Sequence, residues 1–286
     1  MTDANHEQIA YWNQQAGPAW VVHQKRLDSQ IRPHGALALE TLAFCHGQRV
    51  VDVGCGCGDS SLEIARRVGP GGEVLGLDIS EPMLARARER ASLAGLQQLE
   101  FQRGDAQNAD LVEERFDAVA SRFGVMFFED PVAAFTNLAR ALKPGGRLAF
   151  VCWQAPAENP WVLVPMAAAA PHLALPPPPA PGAPGMFAFA DAERVQGILK
   201  AAGYRSIEIS GAHVPMAPGG GSIDDAVEVF LEVGPVASAL RESAAGSSLR
   251  ARVAGAVREA FASHVGDQGL SLDSAIWVVS AQRPPR

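Results

Sequence analysis

Between Arg49 and Trp153 two patterns alternate along the chain. Short apolar runs, rich in β-branched residues, read as strands buried on both faces. They are 50–54, Val74-Leu75-Gly76-Leu77 ending at Asp78, Leu99-Glu100-Phe101-Gln102 ending at Gly104-Asp105, Phe116 to Ser121, and Leu148 to Cys152. Helical stretches lie between them. One opens at Ser60, with Glu63 at capping-box spacing, and closes at Gly69-Pro70-Gly71-Gly72. The next opens at Ser80-Glu81-Pro82, carries Met83, Leu84, Ala87 and Ala91 at helical spacing, and stops at Gly95. Asp130-Pro131 starts a third through Leu142, and Lys143-Pro144-Gly145-Gly146 is a turn. Such alternation predicts an α/β fold with a doubly wound, mostly parallel sheet.

The flanks read differently. Residues 1–47 form an N-terminal helical lid, with apolar positions at Ile9, Ala10, Trp12 and Trp20-Val21-Val22 and a break at Gly17-Pro18. Pro33 opens a further helix through Leu37, Leu39, Leu42 and Phe44. Residues 48–153 are the α/β core. Residues 154–188 are a Pro-rich cap insertion, with four consecutive prolines at 176–179 and no sheet pattern. Residues 189–286 complete the α/β domain with extra helices: one from Ala190 to Gly203, a short strand at 207–209, helical stretches at 222–242 and 248–264, and the strand 275–279. With the five core strands these make a seven-stranded sheet.

The candidate chemistry lies where the first strand meets its helix, at Val51-Asp52-Val53-Gly54-Cys55-Gly56-Cys57-Gly58-Asp59. Strand, glycine turn and helix start together open a nucleotide-binding unit. A dinucleotide site wants a third glycine where Asp59 stands, and Asp52 would repel a pyrophosphate. An NAD-dependent oxidoreductase is therefore disfavoured. S-adenosylmethionine has no phosphate and carries an ammonium and a sulfonium, so an acid here favours it. Asp78 ends the second strand, where an acid accepts hydrogen bonds from ribose hydroxyls. Asp105 ends the third strand, where it could take an adenine amine. Asp59, Asp130 and Ser80 read as helix caps.

The span from Arg49 to Trp153 resembles the core of the class I S-adenosylmethionine-dependent methyltransferases. The matching motifs are Val51 to Gly58, Leu77-Asp78-Ile79-Ser80 with Met83, Gly104-Asp105-Ala106, Phe116-Asp117-Ala118-Val119, and Leu142 to Gly146. It is similar to the branch containing ubiquinone- and menaquinone-pathway C-methyltransferases and many small-molecule methyltransferases. The resemblance implies that Gly54, Cys55 and Gly56 contact the methionine part through backbone. It implies that Asp78 binds ribose, that Ile79 and Met83 line the adenine pocket, and that Asp105 and Ala106 hold the adenine. Ser121 and Arg122 would lie near the methionine end. The strand near 275–280 would run antiparallel in a reversed final hairpin.

The expected acceptor is a small, fairly apolar metabolite. Tyr11, Trp12 and Trp20 of the lid, Arg122 and Phe123 after strand four, and Trp153 before the cap are the candidate pocket residues. Phe127-Phe128, Trp161 and Met186-Phe187 are further aromatic and apolar side chains in the same regions. Arg122 could pair with an acidic substrate group, or with Glu129 or Asp130. His23 and His34 are candidate bases by their place in the lid. Methyl transfer from a sulfonium needs alignment and exclusion of water first, and a base only if the nucleophile must lose a proton. Two other readings keep the same cofactor: a non-catalytic S-adenosylmethionine sensor or scaffold, and a different reaction on the same fold.

Composition narrows the field. At 286 residues and 48% hydrophobic, the chain can bury one large core with a cap. A formal net charge of −7 disfavours nucleic acid and a polybasic membrane anchor. No apolar run has transmembrane length, and no basic-then-apolar leader pattern begins the sequence. Cys45, Cys55, Cys57 and Cys152 have neither zinc nor disulfide spacing, so no metal is expected and a reducing cytoplasm is. The apolar lid and late helices could bury a homodimer interface.

Overall fold

The computed structural model describes residues 5–177, 179–243 and 246–286. Residues 1–4 of the segment read for a leader, and position 178 of the four-proline run, lie outside them. The chain opens with three helices, α1 (His6–Gln14), α2 (Ala16–Val22) and α3 (Gln24–Leu42). Pro33 does not start a helix; it lies inside α3. The buried residues Leu27, Ile31, Ala38, Leu39 and Leu42 run along one face on both sides of the proline. Packing of that face against the sheet holds the helix through a residue that would otherwise break it.

The α/β alternation follows: β1 (Arg49–Val53), α4 (Asp59–Val68), β2 (Glu73–Asp78), α5 (Glu81–Ala94), β3 (Leu99–Arg103), β4 (Phe116–Arg122), α6 (Pro131–Ala141) and β5 (Leu142–Trp153). The remainder contributes α7 (Pro160–Ala169), α8 (Ala192–Ala201), β6 (Arg205–His213), α9 (Ile223–Glu232), α10 (Pro235–Glu242) and α11 (Ser247–Ala262). A small ladder pairs β7 (Val265–Gly266) with β8 (Gly269–Leu270), and β9 (Ala275–Gln282) ends the fold.

Seven strands form one sheet in the order β3-β2-β1-β4-β5-β9-β6. Strands β1 to β5 pair in parallel, and β9 is antiparallel to both β5 and β6. The expected reversed final hairpin is thus present. Val50, Val51, Ala118, Val119 and Leu148 to Cys152 are fully buried, as strands covered by helices on both faces must be. The strand order turns back between β1 and β4, which is where an open α/β sheet leaves a crevice for ligands.

Three local readings change. Lys143–Gly146 does not separate a helix from a strand; it bulges out of β5, whose register with β4 jumps from Phe116↔Leu142 to Ala118↔Arg147. β6 extends well beyond 207–209, because a half-exposed edge strand carries polar residues that hide its apolar period. The single helical stretch at 222–242 is two helices, split at Gly234 (φ +91°) with Pro235 as the first residue of α10.

Candidate functional site

The glycine turn crosses the carboxyl end of the sheet between β1 and α4. Gly54 has φ +66°, and a Cβ there would lie 2.6 Å from the Cα of Gly124. The turn after β1 and the loop after β4 therefore meet backbone to backbone, which only glycine at both places permits. The Gly54 amide donates to the Leu77 carbonyl at 2.8 Å. The Gly56 amide donates to Asp78 Oδ2 at 2.7 Å, so the second strand's acid braces the turn.

Asp52 is not on the cavity wall as the sequence suggested. It is fully buried behind the turn, where its Oδ2 accepts from Ser60 Oγ at 2.7 Å and Ser61 Oγ at 2.6 Å. Ser60 is spent on this bond, so the capping box with Glu63 does not form. Burial pushes the Asp52 carboxyl up to about 6, against the lowering effect of the two hydroxyls. Ser121 also stands behind the wall. Its hydroxyl donates to the Val53 carbonyl at 2.7 Å and accepts from the Gly124 amide at 3.2 Å.

One cavity runs along the ends of β1, β2, β3 and β4, and Gly54, Cys55, Gly56, Asp78, Ile79, Met83, Asp105 and Ala106 all line it. Asp78 Oδ1 accepts from the Ser80 amide at 2.8 Å, and burial pushes its carboxyl above the usual range. Asp105 accepts from the amide of Gln107 at 3.0 Å and from its side chain at 2.8 Å. Of the three residues read as caps, only Asp130 is one, accepting from the Ala133 amide at 2.9 Å. Ser80 Oγ instead donates to the Trp12 carbonyl at 2.9 Å, and Asp59 enters an ion cluster.

Helices α1 and α2 pack over this end. Asn13 donates to the Ile79 carbonyl at 3.0 Å and accepts from the Glu81 amide at 3.0 Å, so a residue of α1 caps α5. Trp12 and Trp20 line the cavity, and Trp12 meets Phe127 edge-on at 5.1 Å. Tyr11 does not line it; its ring packs on Trp12 at 5.6 Å. Phe123 and Trp153 line the far end, stacked at 4.1 Å and 10°, with Trp161 at 4.9 Å from Trp153.

Neither histidine reaches the cavity. His23 Nε2 is 2.8 Å from Glu232. His34 is buried behind Phe123 and Trp153, with Nε2 2.7 Å from Ser274 Oγ, and burial pushes it down to about 4. Arg122 faces the cavity but pairs with neither Glu129 nor Asp130. Its guanidinium bonds Asp59 at 2.9 Å and Asp28 at 3.3 Å, because its side chain crosses α3 at Gly35.

Sequence reasoning missed several wall residues. Leu27, Asp28, Gln30 and Ile31 of α3 line the cavity, as do Val229, Phe230 and the joint Val233–Pro235 between α9 and α10. The Gly234-Pro235 pair was a legible helix break. No local signal aimed α3 or α9 at the cavity, since both read as ordinary amphipathic helices.

Residues 50–146 match a family model described as a methyltransferase domain. The chain is 38% identical over 118 residues to a demethylmenaquinone methyltransferase of Bacillus cytotoxicus, covering 40% of this chain and 50% of that one. It is 32% identical over 166 residues to the demethylmenaquinone methyltransferase of Listeria monocytogenes, covering 56% of this chain and 68% of the relative. The chain belongs to the class I S-adenosylmethionine-dependent methyltransferases. It spans half the length of the first of these curated relatives and about two thirds of the second. The fold is also that of the YcgJ protein of Bacillus subtilis, with a TM-score of 0.56 and 18% identity over 88% of this chain and 100% of that one.

The cavity suits the cofactor of these methyltransferases on its own geometry. The helix that a dinucleotide's pyrophosphate would cap opens with Asp59, whose carboxylate already accepts from Arg32, Arg90 and Arg122. A diphosphate would meet that carboxylate, whereas a sulfonium nucleoside brings no phosphate. Two further carboxylates, Asp78 and Asp105, stand on the wall where a nucleoside offers hydroxyl and amine donors.

Proposed function

We propose that the cavity holds S-adenosylmethionine along the ends of β1 to β4 and presents its methyl group to a small, largely apolar acceptor bound beyond Phe123. In this reading the backbone of Gly54, Cys55 and Gly56 carries the methionine part. Asp78 accepts the ribose hydroxyls, Ile79 and Met83 pack on the adenine, and Asp105 with Ala106 reads its edge. Asp52 and Ser121 act from behind the wall. Asp52 ties the glycine turn to the start of α4, and Ser121 ties it to the loop after β4.

The observation that carries the acceptor reading is the far end of the same cavity. Phe123, Trp153, Trp161, Met186, Val229 and Phe230 line it. Such a wall strips water from a flat or aliphatic molecule and gives aromatic contacts about 0.5–1.5 kcal/mol each beyond burial. The two curated relatives above are demethylmenaquinone methyltransferases, which fits an acceptor of apolar character here. The cofactor supplies an activated methyl group. The chain supplies alignment, a lid and a dry chamber. With His23 and His34 away from the cavity, neither serves as a base.

The test is incubation with methyl-labelled S-adenosylmethionine and a small-molecule extract. Label is expected in a product that partitions into organic solvent. Label confined to intact cofactor, with the protein saturated, would favour a sensor over an enzyme.

A further inference from the structure

One amide side chain interrupts the apolar far end of the cavity. Gln30 lines it between Leu27 and Ile31 of α3, and only 7% of the residue is exposed. Its Oε1 accepts from the amide of Gly219, in the turn before α9, at 3.1 Å. A backbone amide only donates, so this contact fixes which end of the side chain is oxygen. Nε2 therefore faces Met216 Sδ at 3.3 Å, and a thioether is a weak acceptor. An amide nitrogen has a pair of hydrogens. The sulfur takes one, and the other has no protein partner among the described residues.

The polar groups around Gln30 are either spent or donors as well. Trp161 Nε1 donates to Asn159 Oδ1 at 3.0 Å, and Trp277 Nε1 donates to the Ala190 carbonyl at 2.8 Å. Trp153 lines the cavity and is 4% exposed, yet its indole N–H donates to no protein atom among the described residues. His34, one helical turn after Gln30, meets Trp153 edge-on at 5.2 Å, so Trp153 stands against the next turn of α3. Oxygen acceptors are not left over. Gln30 Oε1 is held by Gly219, and Asp28 is paired with Arg90 and Arg122. A donor held in an apolar wall favours a ligand atom that accepts, and penalises a ligand that leaves it unpaired.

We propose that Gln30 selects the acceptor by an oxygen, its free amide hydrogen donating to a carbonyl or hydroxyl oxygen on an otherwise apolar molecule. The proposal rests on the acceptor reading above and narrows it from an apolar molecule to one that carries an oxygen acceptor. A pure hydrocarbon leaves the donor unpaired, and an ammonium brings only donors of its own. The Gly219 contact fixes the plane of the Gln30 amide, so the oxygen is held in one place. The acceptor is thereby oriented as well as enclosed.

The probes are 1-tetralone, an apolar bicycle with one carbonyl, and tetralin, the same bicycle without it. Each is titrated calorimetrically into protein saturated with S-adenosylhomocysteine, so that the cofactor half is filled. The wild type is expected to bind both. Gln30→Met is close to glutamine in length and has no N–H. It is expected to lower the affinity for tetralone by about 10-fold or more and to leave tetralin within about twofold. A residue that only braces Gly219 would weaken both probes together when replaced. Parallel losses, an unchanged tetralone affinity, or a wild type that binds tetralin and not tetralone overturns selection by Gln30 and leaves the acceptor reading standing. A wild type that takes S-adenosylhomocysteine and neither probe overturns the acceptor reading with it. If Gln30→Met does not melt cooperatively, the carbonyl stretch of tetralone bound to the wild type carries the test. It is expected near its frequency in alcohol, and the frequency found in alkane overturns the proposal.

Discussion

Asp52 and His34 are both buried, and their titrations push acid stability in opposite directions. The Asp52 carboxyl is held at about 6 in the fold, above its ordinary value in an open chain. Its contribution to stability is complete below the unfolded value and is lost as pH rises through about 6. The difference amounts to about 3 kcal/mol. His34 is held at about 4, below its ordinary value. Its contribution is complete above the unfolded value and is lost as pH falls through about 4. Between these limits the two slopes offset each other. Asp52→Asn keeps an acceptor for Ser60 and Ser61 and removes only the first slope. Relative to the wild type, the variant should gain about 3 kcal/mol between pH 4 and pH 7, measured by urea unfolding at both values. Parallel profiles would contradict the burial of an ionisable carboxylate at this place. The sequence marked Asp52 as chemically important from its spacing to the glycines. Spacing could not say that it faces inward, because that depends on Ser60 and Ser61 turning back from the helix.

At the scale of elements, the site is held by close approach between loops. Gly124 follows β4, and a Cβ there would lie 2.7 Å from both the Gly54 Cα and the Val53 carbonyl oxygen. Neither atom can rotate away, so Gly124→Ala must separate the two loops. The expected cost is about 1–3 kcal/mol of stability, with a loss of affinity for S-adenosylhomocysteine in the protein that remains folded. A variant with the wild-type melting point and affinity would show that the loops are not in contact. The strands β1 to β5 and their helices were legible because apolar periodicity and glycine turns are local signals. The contact of Gly54 with Gly124 was not, since it joins residues on different loops. The same holds for Asn13, which caps α5 from α1 across the mouth of the cavity. Helix α3 was misread at Pro33 because its continuity comes from packing on the sheet, not from propensity.

At the scale of the molecule, the cavity has two halves built in different ways. The cofactor half comes from consecutive strand ends at the switch point, so short motifs in chain order describe it. The half proposed for the acceptor is lined from α3, the loop after β4, α7 and the joint between α9 and α10. These pieces are far apart in sequence and meet only in the fold. That explains why the cofactor was readable from residues and the shape of the acceptor chamber was not. The central claim is that the glycine turn and Asp78 together make a site for a methionine-bearing nucleoside. Its most direct test is calorimetric titration of S-adenosylhomocysteine and NAD into the wild type and Asp78→Ala. The account predicts that the wild type binds S-adenosylhomocysteine and not NAD, and that Asp78→Ala loses about 10-fold or more in affinity, because the proposed ribose contact and the Gly56 amide both lose their acceptor. Binding of NAD, or an unchanged affinity in Asp78→Ala, would contradict it.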